Sequence, residues 1–246
     1  MHRTISIVAL LMTAAPALAA PIFYGNFSGT NVDFLNVQED SSTDPGPLFG
    51  APVVAADSLA FSPVSFGADA NMGNGYVDIT DGTMATTIKA KPGKVINHVT
   101  VNESGDYTLT GAGPGTVSVA ATLFVQIVEI GGTPVNPVVI NGSLVFTPSG
   151  NPATVAGDYA LPGNAGVGTV WTGTGTLDID AALASRGISG QATKVLFSMN
   201  NTLVSIGSPG TVAFIKKKTN GVTIVVPEPA SLGMLLGGAI VLLRRR

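Results

Sequence analysis

"TVSVAATLFVQIVEI", Thr116 to Ile130, places Val117, Val119, Ala121, Leu123, Val125 and Ile127 at every second position. Side chains at i and i+2 of an extended chain share one face, so this stretch is a strand with one apolar side. The residues between them, Ser118, Ala120, Thr122, Phe124 and Gln126, form a mixed opposite face. Strand patterns recur in "KVINHVTVN" (94–102), "GDYTLTG" (105–111), "PVVINGSLVF" (137–146), "TVWTGTGTLDID" (169–180), "TKVLFSMNNTLVSIG" (193–207) and "TVAFIKKKTNGVTIVV" (211–226). Glu103-Ser104-Gly105 reads as a turn between the first two of these. Asn220-Gly221 suits a type I′ turn that would fold the last into a hairpin. One helix is expected in "DIDAALASRG" (178–187), with Asp180 capping its start and Gly187 its end. Many short strands separated by turn signals predict an all-β fold, an antiparallel β-sandwich of jelly-roll or immunoglobulin-like kind.

Upstream, "NVQEDSSTDPGPLFGAP" (36–52) clusters Asp, Ser, Pro and Gly without a clear period. Residues 20–65 are therefore expected to form a loop-rich arm. Two segments, "SGDYTLTGAGPGTV" (104–117) and "AGDYALPGNAGVGTV" (156–170), share a Gly-Asp-Tyr start and a Thr-Val end. They suggest either a duplicated hairpin with Tyr107 and Tyr159 at equivalent corners or a chance likeness of Gly-rich turns.

The chain of 246 residues is long enough for a sizeable core, and only 11% of it is charged. An ordinary soluble domain carries about 25%. The absence of cysteine excludes disulfides, thiolate metal sites and a Cys nucleophile. Outside the two ends, which hold Arg3, Arg244–Arg246 and Glu228, there remain 8 basic and 14 acidic residues, a net charge of −6. That balance argues against nucleic acid as a partner.

The ends carry the address. "MHRTISIVALLMTAAPALAA" has a basic start, an apolar run and a small-residue exit, the layout of a secretory signal over residues 1–19. Ala17 and Ala19 fit the cleavage rule, with Ala20 as the new first residue and an export translocon as the implied partner. At the other end, "VPEPASLGMLLGGAIVLLRRR" (226–246) joins a rigid Pro227-Glu228-Pro229 to an uncharged run, 230–243, and a basic tail, Arg244, Arg245 and Arg246. A helix over that run covers about 21 Å, short of a ~30 Å hydrocarbon core. The arginines extend its reach by snorkelling, and their charge places them on the cytoplasmic side.

The order of Pro-Glu-Pro, short apolar helix and basic tail in residues 227–246 resembles the PEP-CTERM sorting signal. "VTVNESGDYTL", "SLVFTPSG" and "VAFIKKKTNGVTIVVPEPAS" are also similar to a β-rich group of PEP-CTERM proteins. The resemblance implies processing near Pro227, Glu228 and Pro229 by an exosortase, a membrane-embedded transpeptidase. It implies transient anchoring in the inner membrane of a Gram-negative bacterium, then delivery to the envelope, the cell surface or an exopolysaccharide matrix.

Chemistry-bearing residues in the middle are few. His98 is the one histidine left after signal removal, and a lone strand histidine is expected to be structural. No G-x-S-x-G or H-E-x-x-H occurs. The Gly-rich runs lack the Lys-Ser/Thr of a phosphate loop. Asp178 and Asp180, two apart in "LDID", could ligate Ca²⁺ or flank a glycosidic bond, against a plainer reading as a solvated face with a helix cap. Glu39, Asp40 and Asp44 are a second weak calcium candidate, while Asp78 and Asp81 read as turn residues. Lys216, Lys217 and Lys218 could attract an anionic polysaccharide, or simply charge a sheet edge against pairing. Trp171 could stack on a sugar, or belong to the core. These readings converge on a non-enzymatic, exported envelope or matrix protein needing no cofactor. The alternatives are a carbohydrate-binding module using Trp171 and the lysines, and a glycan hydrolase using Asp178 and Asp180.

Overall fold

The structure, a computed structural model, describes residues 20–71, 77–150 and 157–226. The expected signal segment 1–19 and the sorting segment 227–246 lie outside the described residues. Within them the chain folds as a two-sheet antiparallel sandwich with one short helix.

The first sheet is built on the opening stretch. β8 (Gly115–Ile130) pairs along nearly its whole length with β13 (Ala192–Gly207), and β13 pairs in turn with β6 (Val77–Ala90). β2 (Val32–Ser41) and β1 (Ile22–Ser28) extend that side, while β9 (Thr133–Ser143) and β11 (Gly157–Ala160) share the far edge of β8. In the second sheet, β7 (His98–Gly111) lies between β12 (Gly166–Asp178) and β14 (Thr211–Val225). β10 (Val145–Thr147) closes one side, and β3 (Val53–Ala55), β4 (Ser58–Phe61) and β5 (Gly67–Asp69) lie beyond β14. The alternation of β8 holds as far as Ile127: Val117, Val119, Ala121, Leu123, Val125 and Ile127 are all buried between the sheets. Phe34, Ile88, Phe197 and Leu203 from the first sheet share that core with Val101, Leu109, Ile215 and Ile224 from the second.

Four expectations are corrected. The supposed arm 20–65 holds β1 to β4. Its period is hidden because Asn36, at φ 53°, is a bulge that moves the inward parity of β2 from Val32 and Phe34 to Val37, Glu39 and Ser41. The longest irregular segment runs from Ser41 to β3, with a shorter one after β4. Glu103-Ser104-Gly105 is not a turn but the middle of β7, with Glu103 and Gly105 facing inward. Asn220-Gly221 does not close a hairpin. β14 runs on through it against β7, with Lys217 opposite Gly105 and Val222 opposite Glu103, so residues 218–221 bulge from one continuous strand. Finally, the helix α1 (Ile179–Ser185) is capped by Asp178 rather than Asp180. The Asp178 carboxylate accepts the Ala181 N–H at 2.8 Å, and Gly187, at φ 67°, ends the helix as expected.

Candidate functional site

The outer face of the first sheet is the face of β8 that reads as mixed. Strand pairing carries it across the sheet in rows. Gln38 of β2 lies opposite Ala85 of β6, Ala85 opposite Ser198 of β13, Ser198 opposite Phe124 of β8, and Phe124 opposite Asn141 of β9. The next row runs through Thr87, Leu196, Gln126 and Val139. Five strands at the usual ~4.8 Å spacing make these rows about 19 Å long. An open cleft of about 450 Å³ follows them, lined among others by Asn36, Gln38, Phe124, Gln126, Val139 and Leu196. Phe124 is 40% exposed and Val139 52%. The cleft thus pairs an accessible aromatic ring with amide and hydroxyl groups, and no lining residue is ionisable. Such a surface can stack against a ring and exchange hydrogen bonds with hydroxyls.

Charge collects further along the same sheet, at the end held by Lys89, Lys91 and Lys94. With Asp33 and Glu129 they line a second hollow of about 710 Å³. Its charges are partly satisfied internally. Lys91 lies 3.8 Å from Asp33 and donates to the Gly29 carbonyl, and Glu129 accepts the Thr193 hydroxyl at 2.7 Å.

The interior holds a second constellation, whose members are far apart in the sequence. Glu103 on β7 and Lys217 on β14 meet Asn201 on β13, from the opposite sheet. Lys217 Nζ donates to Glu103 Oε2 at 2.6 Å and to Asn201 Oδ1 at 2.7 Å, and Asn201 Nδ2 donates to Glu103 Oε1 at 2.6 Å. Both ionisable side chains are fully buried. The rings of Phe66 and Trp171 lie 5.1 and 5.4 Å from the ammonium. Burial pushes the Lys217 ammonium below its usual pKa, against the Glu103 carboxylate, which holds it up.

The sequence candidates are therefore dispersed. Trp171 is wholly buried, packed edge-on against Phe146, and offers no face to a sugar. The lysine run is not a charged sheet edge, since β14 is paired on both sides. Lys217 points inward, Lys218 pairs with Asp106 at 3.6 Å, and Lys216 is exposed above the Phe214 ring. None of the four lines the cleft. Asp178 is committed to its helix cap. Burial raises the pKa of Asp180, the Asp178 charge adds to this, and His98 opposes it. His98 itself starts β7 opposite Asp178. Glu39 is buried, accepting the N–H groups of Leu48, Phe49 and Gly50, and so organises a loop. Asp40 and Asp44 bond to the Ser41 N–H and the Thr43 hydroxyl. Asp81, expected in a turn, lies within β6 and binds Asn200 and Thr202. Among the described residues, no three His, Cys, Asp or Glu side chains gather as a metal site.

Tyr107 and Tyr159, the repeated tyrosines, stack at 4.4 Å with their rings 19° apart. They come from different sheets, and the Tyr159 hydroxyl donates to the Pro148 carbonyl at 2.8 Å. Burial raises the pKa of Tyr24, Tyr107 and Tyr159, helped at Tyr24 by Glu39 and at Tyr159 by Tyr107 and Asp158. An unfolded phenol ionises near pH ~10, so this contribution to stability is complete below that pH and is lost as pH rises above it. Ultraviolet titration of the folded protein is expected to show these three phenolates only above the ordinary range. Their appearance near pH ~10 without unfolding would contradict their burial.

No protein-family model matches the chain, and no curated protein matches it. Among solved structures, TmCBM61 in complex with beta-1,4-galactotriose is similar at 9% identity and a TM-score of 0.22, over 69% of this chain and 70% of that one. A family 12 xyloglucanase from Bacillus licheniformis gives 10% identity and a TM-score of 0.19, over 85% and 100%. The family 11 xylanase from Neocallimastix patriciarum gives 7% and 0.20, over 85% and 100%. At these identities and scores the likeness goes no further than the fold.

Proposed function

We propose that this is a non-enzymatic, exported protein of the bacterial envelope or extracellular matrix, whose sandwich holds a neutral polysaccharide along the outer face of its first sheet. The observation that carries the reading is the cleft of Asn36, Gln38, Phe124, Gln126, Val139 and Leu196, open, uncharged and long enough for an extended polymer. In this reading residues 1–19 direct export, cleavage follows Ala19, and the apolar segment 230–243 anchors the chain with Arg244–Arg246 on the inner side. An exosortase-type transpeptidase then acts near Pro227-Glu228-Pro229. The jelly-roll kind of sandwich is supported by the chain's repeated passage between sheets, from β6 to β7 to β8 and again from β12 to β13 to β14.

The alternative with a basic surface is a module for anionic glycans at the Lys89, Lys91 and Lys94 hollow. Salt separates the two, since binding by exposed charges weakens as ionic strength rises and stacking on Phe124 does not. A glycan array with residues 20–226 is expected to show saturable binding to neutral polymers that persists in high salt. Phe124→Ala is expected to weaken it about tenfold, equivalent to roughly 1.4 kcal/mol, while leaving the fold intact. Binding confined to acidic glycans, or indifferent to Phe124, would refute the assignment.

A further inference from the structure

We propose that Lys217 and Asn201 become joined, once the protein has folded, by an amide bond that the protein forms within itself, with Glu103 carrying the protons. The three side chains close a triangle in which each bonds to the other two. The amide is oriented by its neighbours: the Lys217 ammonium has only donors and the Glu103 carboxylate only acceptors, so the Asn201 oxygen faces the lysine and its nitrogen faces the glutamate. A contact of 2.7 Å to Oδ1, with a C=O bond of ~1.23 Å, places Nζ no more than about 3.9 Å from Cγ. The nucleophile therefore stands close to attack distance from an electrophilic carbon, held there by strands of two different sheets.

The carboxylate is placed for the proton traffic the reaction needs. Its Oε2 touches the nucleophilic Nζ, and its Oε1 touches Nδ2, the group that must leave. Lys217 first gives a proton to Glu103, which leaves a neutral amine beside a neutral acid. Full burial of both side chains favours that exchange, because a surround without water penalises both charges. The Nζ lone pair then attacks Cγ and the N–C bond forms. Glu103 passes its proton to Nδ2 and receives one from Nζ. The Cγ–Nδ2 bond breaks and ammonia departs, taking up the last proton as ammonium and restoring the carboxylate. No oxidant, metal or co-reactant enters the balance. Exclusion of water leaves no nucleophile to reverse the step. The product ties β13 to β14, and so one sheet to the other.

Mass spectrometry of the full purified chain tests this without any substitution. Trypsin is expected to release peptide 195–216 carrying a Lys217-Lys218 remnant, about 17 Da lighter than the two parts summed, through loss of ammonia. Recovery of an unmodified 195–216 from folded protein, with cleavage after Lys217, would overturn the proposal. A loss of the same mass placed at Asn220-Gly221, the mark of a succinimide, would equally count against it. Glu103→Gln keeps the size and hydrogen-bonding shape of the side chain but cannot shuttle protons. Its folded form is expected to yield only the unlinked peptides, and linkage at the wild-type level would refute the role given to Glu103.

Discussion

Lys217→Ala is expected to lower the stability of the sandwich by about 3–5 kcal/mol, the cost of leaving a buried charge without its partner. The substitution deletes the donor to Glu103 Oε2 and to Asn201 Oδ1 at once, at a point with no access to solvent. It also removes the ammonium held 5.1 and 5.4 Å from the rings of Phe66 and Trp171. Chemical denaturation should show a midpoint well below wild type, with a slope no shallower than wild type because the Lys217–Asn201 link no longer constrains the unfolded chain. Adding Glu103→Leu and Asn201→Leu should recover the part of the loss that comes from the stranded charge, but not the part that comes from the missing Lys217–Asn201 link. A change below about 1 kcal/mol in Lys217→Ala would mean that the pair is not buried as described.

The second large effect is expected at Gly105. A methyl group there would overlap the Lys216 carbonyl oxygen and the indole of Trp171. Both are fixed: the first belongs to the strand paired with β7, and the second is a fully buried ring. Neither can move aside as the end of a flexible side chain could, so Gly105→Ala should cost about 3 kcal/mol or more through overpacking. Gly93 provides the comparison. Its φ of 75° strains an alanine by about 1–2 kcal/mol, but nothing lies within 4 Å of its missing Cβ. Thermal melts of the two variants should therefore separate crowding from backbone strain. Equal losses at the two sites would contradict the packing of Trp171 over β7.

Both residues lie where the sequence misleads in the same way. Glu103-Ser104-Gly105 has turn-forming composition, yet Glu103 answers a buried lysine and Gly105 makes room for an indole. Their shared parity with Val99, Val101, Tyr107 and Leu109 was the legible sign that β7 continues. Lys217 likewise keeps the inward parity of Ala213 and Ile215. The triad escapes sequence reading because its members are 16 to 114 residues apart and only the pairing of β7, β13 and β14 brings them together. Where alternation is unbroken, as in β8 up to Ile127 and in β13 from Val195 onward, strand and inner face were readable directly. Where a bulge shifts the parity, as at Asn36, they were not. The cleft had one visible trace, an aromatic Phe124 on the polar face of β8. Its companions depend on register across five strands, which one sequence does not state.

In the proposed reading polymer contact lies on the first sheet, with the lysine run and Trp171 internal or remote. The most direct test is backbone NMR of residues 20–226 titrated with a neutral polysaccharide fragment found to bind. The expected result is a set of shifted amides confined to the rows through Gln38, Ala85, Ser198, Phe124 and Gln126, with β12 and β14 unchanged. Shifts centred on Lys216, Lys218 and their neighbours in the second sheet, with the rows of the first sheet silent, would contradict it.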